Sequence, residues 1–326
     1  VSAIQKHKPT ESFMNAASPG VIALFQPNKH YPTHEAYLRA LADAMAHEYR
    51  AITDAGIVLQ LDSPDLGLGR HMMFKDKSDA EYQALASLHV DALNHALDGI
   101  PKDRVRLHVC WGNYEGPHHH DAPMELVLPI ALRANVGALL FESSNPRHAH
   151  EWETFRDADL PDDLVLVPGV IDSTTNFVEH PKLVAERICR FADIVGRERV
   201  IAGSDCGFST FAGFGAVDED IVYAKLKSMA DGAAMASEQR MADGRAVYET
   251  TCKICHETGI AGAPQTRNAA DWEGRSSLWE SVLFEHANKG YLAMPAKGGD
   301  EDASDYDVEA AAEYMLTITH PELLAD

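Results

Sequence analysis

The chain has 326 residues, with 28 basic against 50 acidic side chains and a formal net charge of -22. That balance argues against a nucleic-acid or anionic-membrane partner, both of which favour basic surface, and no apolar run is long enough to span a bilayer. The length fits two domains, or one large α/β barrel with a small addition. The opening residues, Val1-Ser2-Ala3-Ile4-Gln5-Lys6-His7, show no charged segment followed by a long apolar stretch, so no signal peptide is expected. They also lack Met, and a processed or truncated product or an unusual start codon is expected. Taken in order, Ser12 to Phe25 reads as a strand region broken by Ser18-Pro19-Gly20, and His34 to Ala55 as an amphipathic helix stopped by Gly56. Ile57 to Asp62 reads as a strand, Ala80 to Leu97 as a helix and Val105 to Trp111 as a strand. Leu126 to Arg133 reads as a helix, Val136 to Glu142 and Leu164 to Val170 as strands, and Pro181 to Val195 as a helix. Val200 to Cys206 reads as a strand and Asp218 to Ala236 as a helix. Strands and helices taking turns predict a parallel sheet covered by helices. After Ala236 the strand pattern stops, and helices are expected within Met241 to Cys255, near Leu278 to Asn288 and over Asp305 to Leu316. The expected domains are 1–236 and 237–326, meeting near Ser237 with almost no linker.

Five cysteines, Cys110, Cys189, Cys206, Cys252 and Cys255, are a poor disulfide framework for a chain this long. Metal or cofactor ligation is the better expectation for most of them. Cys189, inside a helical pattern, reads as a small buried apolar residue.

In the strand Val105 to Trp111, Val105, Leu107 and Val109 alternate with Arg106, His108 and Cys110. Side chains on a strand repeat every two residues, so His108 and Cys110 leave one face, one pleat apart, where both could hold one metal ion. Buried core residues are the alternative. Polar residues close strand after strand: Asp62, His108 with Cys110, Glu142, Asp172 and Cys206. A (β/α)8 barrel carries its active site at that end. An open doubly wound sheet is the other possibility, but no Gly-rich phosphate loop follows a strand. Cys110, Cys206, His108 and Glu142 would make a four-coordinate set suited to Zn²⁺. The loop His118-His119-His120-Asp121 reads as a substrate-facing mouth, a metal site or a structural loop. Within Arg147-His148-Ala149-His150-Glu151, at least one side chain is expected to orient Glu142 or the substrate.

Leu59-Gln60-Leu61-Asp62-Ser63-Pro64, His108-Val109-Cys110, Phe141-Glu142-Ser143-Ser144, Pro168-Gly169-Val170-Ile171-Asp172 and Ser204-Asp205-Cys206-Gly207 occur in that order. With these motifs, residues 12 to 236 resemble the C-terminal catalytic barrel of cobalamin-independent methionine synthase and its relatives. The resemblance implies a (β/α)8-type barrel and zinc held by His108, Cys110, Glu142 and Cys206. It implies a small thiol substrate, whose amino group Asp62 would contact, and a methyl or alkyl donor. Asp172 is carried over as a catalytic residue. The resemblance implies a zinc-dependent thiol methyltransferase of the homocysteine S-methyltransferase type; the family carries a His two residues after that Asp, where this chain has Thr174, which argues against methylfolate as the donor. The family's first two strands have no counterpart, so the ring is expected to be incomplete, with the remainder on another chain or lost by truncation.

Cys252-Lys253-Ile254-Cys255-His256 is the c-type haem attachment pattern: two thiols add to the porphyrin vinyl groups and the adjacent His ligates iron. A zinc site would need a second cysteine pair, and no cysteine follows Cys255. Met294, in a loop before Pro295, is the expected sixth ligand, whereas Met315 lies among apolar helix neighbours and reads as core. With Gly244-Arg245-Ala246-Val247-Tyr248, Gly262-Ala263-Pro264, Trp272 and the last helix, residues 241 to 318 resemble a small class I cytochrome c of the cytochrome c5 type. That resemblance implies haem c, one-electron transfer to a redox partner protein, and attachment of the haem outside the bacterial cytoplasm; the scarcity of Lys and Arg in this stretch suits a partner with a basic surface. The transferase family is cytoplasmic, so the compartment stays open. Three functions remain: a bifunctional transferase and electron carrier, a cytochrome whose incomplete barrel is an inactive scaffold or docking module, and a transferase with an unloaded haem domain.

Overall fold

Short apolar runs ending in a polar residue recur through the first part of the chain, and each becomes a parallel strand. The computed structural model describes residues 2–7, 9–211, 214–215, 217–272 and 280–321. Its strands are β1 (Phe13–Ala17), β2 (Val58–Asp62), β3 (Val105–Val109), β4 (Ala138–Phe141), β5 (Val165–Ile171) and β6 (Gly203–Ser204). They form one 6-stranded sheet in chain order, with every neighbour parallel. Unreversed chain order is that of a (β/α)8-type barrel; a doubly wound sheet reverses direction at a switch point. Among the described residues the barrel is partial, and β1 and β6 are its edges.

Helices return the chain from strand to strand. Thr33 caps His34–Asp54, Ser78 and Glu81 form a capping box on Asp79–Ala96, and His180 with Pro181 starts Pro181–Val195. Leu59, Leu61, Leu107 and Leu166 are fully buried at 0% exposure, in one core with Tyr49, Tyr82 and Phe191 from these helices. That core stands against the helix-facing side of the sheet, so the opposite set of side chains, His108 among them, is left to line the barrel interior. The register pairs Asp62 with His108 and Val109 with Phe141, which brings the polar strand ends to one level.

Several expectations needed correction. Ser12 to Phe25 is a strand only to Ala17; Pro19–Phe25 is a helix, with Ser18 accepting from Val21 N–H as its cap. What read as a break in a strand is a helix start. The strand expected over Val200 to Cys206 is ordered only at Gly203–Ser204, with one further bridge from Val200 to Leu166. A small antiparallel pair, Ser209–Phe211 with Phe214–Gly215, and the short helix Trp152–Arg156 were not anticipated. Cys189 is half-buried rather than buried.

The chain divides into two compact units, Val1–Ala233 and Ala234–Asp326. The helix expected to end at Ala236 runs over Glu219–Val247, because no helix-breaking proline interrupts it. In the second unit it continues through a π turn, Tyr248–Cys252, into Lys253–His256, and Glu280–Lys289 and Asp305–Thr319 follow. Helix Asp305–Thr319 crosses the first helix at Gly244, where a Cβ would lie 2.0 Å from the Ala310 carbonyl oxygen. Only glycine permits that approach. Among the described residues no helix is long and apolar enough to cross a membrane.

Candidate functional sites

In the barrel unit, β3 carries His108 and is followed directly by Cys110, while Cys206 follows β6. Ligand atoms of these three residues all lie within 4.8 Å of one another, and all three are buried. Among the described residues no other such group of His, Cys, Asp or Glu occurs. Glu142, at the end of β4, is outside this tight group. Its Oε1 is 3.8 Å from Cys206 Sγ and accepts from the Trp111 N–H at 2.8 Å, and its Oε2 accepts from Asn145 Nδ2 at 2.8 Å.

The electrostatics of this pocket favour a cation. The Cys206 thiol is pushed well above its usual range by its hydrogen bond with Cys110, by burial and by Glu142. Burial and the nearby Asp205 lift Glu142 to about 7. Two thiols and a carboxyl group crowded into a dry site cannot all ionise by themselves; a metal ion makes the same set favourable. Two sulfurs and an imidazole are also the donor types that zinc selects. The residues therefore fit a zinc ion.

Asp62 accepts from His108 Nδ1 at 2.9 Å, and His108 Nε2 faces the Asp205 carbonyl oxygen at 3.2 Å. Burial opposes charge on His108, but Cys110 and the Asp62 hydrogen bond outweigh it and raise the imidazole to about 9. A carboxylate on the second nitrogen of a ligating imidazole fixes its tautomer and ring orientation. The Asp62 side chain remains 48% exposed, so it also faces the solvent side of the strand ends. Asp172 is buried, and one of its oxygens accepts from both the N–H and the Oγ1 of Thr174, at 2.7 and 2.9 Å. The backbone N–H of Asp172 is held by Glu179, which buried Lys225 neutralises at 2.9 Å.

Around these residues the loops are tied together. Gly67 lets the loop after β2 approach β3 closely: a Cβ there would lie 2.5 Å from the Cys110 carbonyl oxygen. Asn113 donates to the Gly207 carbonyl at 2.5 Å and accepts from Ser173 Oγ at 3.0 Å, so it joins three strand-end loops. His118 is spent on the loop itself, bonded to Asp121 Oδ2 at 2.8 Å and to the Tyr114 carbonyl at 2.9 Å. His148 lies between Asp121 and Glu151, at 3.0 and 2.7 Å, and stacks on Trp111 with ring centroids 4.0 Å apart. Through Trp111, whose backbone N–H binds Glu142, His148 braces the wall of the pocket formed by His108, Cys110 and Cys206. The sequence pattern assigns Asp205 and Asn145 no role; a carboxylate beside a candidate ligand at a buried strand end is the signal that points to Asp205.

In the second unit, Cys252, Cys255 and His256 lie on consecutive helical turns, and the two thiols are free. Burial and Cys255 raise Cys252 to about 11. His256 Nδ1 donates to the Pro264 carbonyl at 2.9 Å, while Thr266 N–H donates to the His256 carbonyl at 2.8 Å. This bond places the proton on Nδ1, the tautomer that an iron-ligating imidazole would need. Trp272 Nε1 donates to the Gln265 carbonyl and Tyr248 Oη bonds Thr266 Oγ1, which hold the clamp loop in place. Met294 is half-buried in a tight turn bonded both ways to Tyr291, at 2.9 and 3.0 Å, and it packs against the cluster of Phe284, Ala287, Val308 and Ala312. Met315 is buried against Tyr248 and Tyr314. Among the described residues the unit's apolar side chains thus form two small clusters rather than one continuous core, which fits a domain centred on a haem.

Comparison with known proteins agrees with both halves. The family described as cobalamin-independent synthase, catalytic domain, matches residues 25–235, and the family described as cytochrome c oxidase, cbb3-type, subunit III, matches residues 239–315. Cytochrome c-555 of Prosthecochloris aestuarii is 37% identical over an aligned length of 84 residues, with 23% of this chain and 85% of that protein covered. 2-Hydroxypropyl-CoM lyase of Xanthobacter autotrophicus is 26% identical over 216 residues, covering 58% of this chain and 54% of the lyase. The structure of a B12-independent methionine synthase from Shewanella sp. W3-18-1, in complex with selenomethionine, shares the fold, with a TM-score of 0.53 and 16% identity over 73% of this chain and 65% of that one. The chain spans a little over half the length of the lyase it matches. It belongs to the cobalamin-independent synthase catalytic-domain family, with a c-type cytochrome domain following the partial barrel.

Proposed function

We propose that the barrel unit transfers a methyl or alkyl group to the sulfur of a small thiol with the help of zinc, and that the cytochrome unit carries single electrons through haem c. The observation that carries the first half is the buried grouping of His108, Cys110 and Cys206, with Asp62 on the far nitrogen of His108. His108, Cys110 and Cys206 hold the ion, and Glu142 is the fourth protein ligand. A bound zinc ion lowers the pKa of a thiol so that a thiolate is available near neutral pH. In the transfer, a bond forms between the substrate sulfur and an electrophilic carbon while the bond from that carbon to the donor breaks. Asp62 orients His108, and its exposed oxygen meets the amino group of the thiol substrate. Asp172 holds Thr174 where the related synthases carry a histidine, so this chain supplies no imidazole there to protonate a leaving group. A donor that leaves without that proton, rather than methylfolate, fits the site.

In the cytochrome unit Cys252 and Cys255 bind the haem covalently, and His256 and Met294 ligate iron. Haem attachment of this kind would take place outside the bacterial cytoplasm, and the acidic chain suits a redox partner with a basic surface. The two units, taken as 1–236 and 237–326, would act as separate functional modules of one chain. Metal analysis tests the first half: about one zinc per chain, lost in Cys206→Ser, is expected, and zinc-free protein from a zinc-replete preparation would refute it. A reduced-minus-oxidised spectrum after co-expression with a haem-maturation system tests the second; absence of a c-type band would refute it.

A further inference from the structure

We propose that Asp205 and Asn145 are positioning residues that latch Glu142 to the segment carrying Cys206 and so set the fourth side of the metal site. Asp205 immediately precedes Cys206, yet its side chain reaches across to the loop after β4. Its Oδ1 accepts from the N–H groups of Ser143 and Ser144, at 2.9 and 2.8 Å. Its Oδ2 accepts from Ser144 Oγ, Asn145 N–H and Asn145 Nδ2, at 3.0, 2.9 and 3.0 Å. One carboxylate, 3% exposed, thus gathers five donors from Ser143, Ser144 and Asn145, the segment that follows Glu142. The same Asn145 Nδ2 donates to Glu142 Oε2 at 2.8 Å, so a single amide bridges Asp205 and Glu142. The Asp205 backbone carbonyl also faces His108 Nε2. Strand ends β4 and β6 are not neighbours in the sheet. The latch therefore does what the sheet does not: it fixes the spacing between a carboxylate and a thiol that come from separate strands.

Asn145 has two separable duties. Its Oδ1 accepts from the N–H groups of Arg147 and His148 and shapes the local turn, whereas its Nδ2 holds Glu142. Asn145→Asp keeps the acceptor and removes the donor, so it spares the turn and releases the latch. Asp205→Asn replaces one acceptor oxygen with an amide NH2 donor that faces other donors, and so opens the latch from the other side.

The proposal rests on the zinc reading of the site, and the experiment separates the two. Full-length wild type, Asn145→Asp and Asp205→Asn are dialysed against chelator-buffered zinc, the metal is counted by mass spectrometry, and the bound ion is examined by X-ray absorption at the zinc edge. Thermal unfolding monitors the fold, and Asn145→Asp alone carries the test if Asp205→Asn fails to fold. The variants are expected to need about 10–100 times more free zinc for half-saturation, the range seen when partners of metal ligands are removed. They should keep both sulfur ligands and lose one oxygen or nitrogen ligand. Variants that match wild type in both half-saturation and ligand shell overturn the proposal alone. A wild type that binds zinc with no sulfur ligands overturns the zinc site and the proposal together.

Discussion

Asp62 and His108 face one another across β2 and β3 as register partners, and the Asp62 carboxylate meets His108 Nδ1 at 2.9 Å. A candidate ligand and the carboxylate that would orient it are thus built into one rung of the sheet. Asp62→Asn keeps the shape but weakens the acceptor, and it should raise the free zinc needed for half-saturation about 10–100-fold. Kinetics at saturating zinc then isolate the second role: a raised KM for the thiol with kcat preserved marks a contact to the substrate amino group. An unchanged KM would confine Asp62 to its service to His108.

Alternation within one strand was enough to pair His108 with Cys110, because the two-residue repeat is local. The rule that strand ends carry the chemistry then reached Glu142 and Cys206. The tie from Asp62 to His108 depends on the register of two strands about 45 residues apart, and register leaves no trace in either strand alone. The same holds for Asp205: its five side-chain hydrogen bonds come from a loop that follows β4, two strands away in the sheet. Ser18-Pro19 was visible as a break, but Ser at the cap and Pro at the first helical position also begin helices, and here they do. In the cytochrome unit the attachment pattern is covalent chemistry written in five adjacent residues, so it could be read directly. The Pro264 clamp on His256 could not, since it depends on how the next loop folds back.

His148 predicts a pH-dependent contribution to stability. Burial disfavours its charge, but Asp121 and Glu151 outweigh burial and lift it from 6.5 to about 9. The folded state therefore retains a proton that the unfolded chain gives up, and the stabilisation is complete below pH 6.5 and fades as the pH rises through 9. A lift of that size corresponds to about 3 kcal/mol. In denaturant titrations, the stability gap between wild type and His148→Gln should be about 3 kcal/mol larger at pH 6 than at pH 9.5. A gap independent of pH would show that His148 is not held as an imidazolium.

Gly244 predicts a steric failure at the helix crossing of the cytochrome unit. A methyl group there would meet the Ala310 carbonyl oxygen at 2.0 Å, and the obstacle is backbone rather than a side chain that could swing away. Relief requires the helix Asp305–Thr319 to move, which would also disturb the packing of Met315 and Tyr314 on Tyr248. Overpacking of this kind costs about 1–3 kcal/mol or more. Gly244→Ala should lower the thermal midpoint of this unit by roughly 4–20 °C, by the scaling for a domain of this size. Circular dichroism combined with the haem band provides the check.

Met294 and the attachment cysteines are separable by experiment. Cys252 and Cys255 would hold the haem by covalent bonds, so a protein with both changed to Ser should lose its haem to acidified organic solvent while the wild type retains it. Of the haem, Met294 touches only the iron in this scheme. Met294→Leu should therefore keep covalent haem and its c-type absorption, but lose the sulfur ligand that raises the potential of a Met/His haem. A redox titration should show a lower midpoint potential in Met294→Leu than in wild type. An unchanged potential would mean that another side chain completes the iron coordination and that the Tyr291–Met294 turn serves packing on Phe284 and Val308 instead.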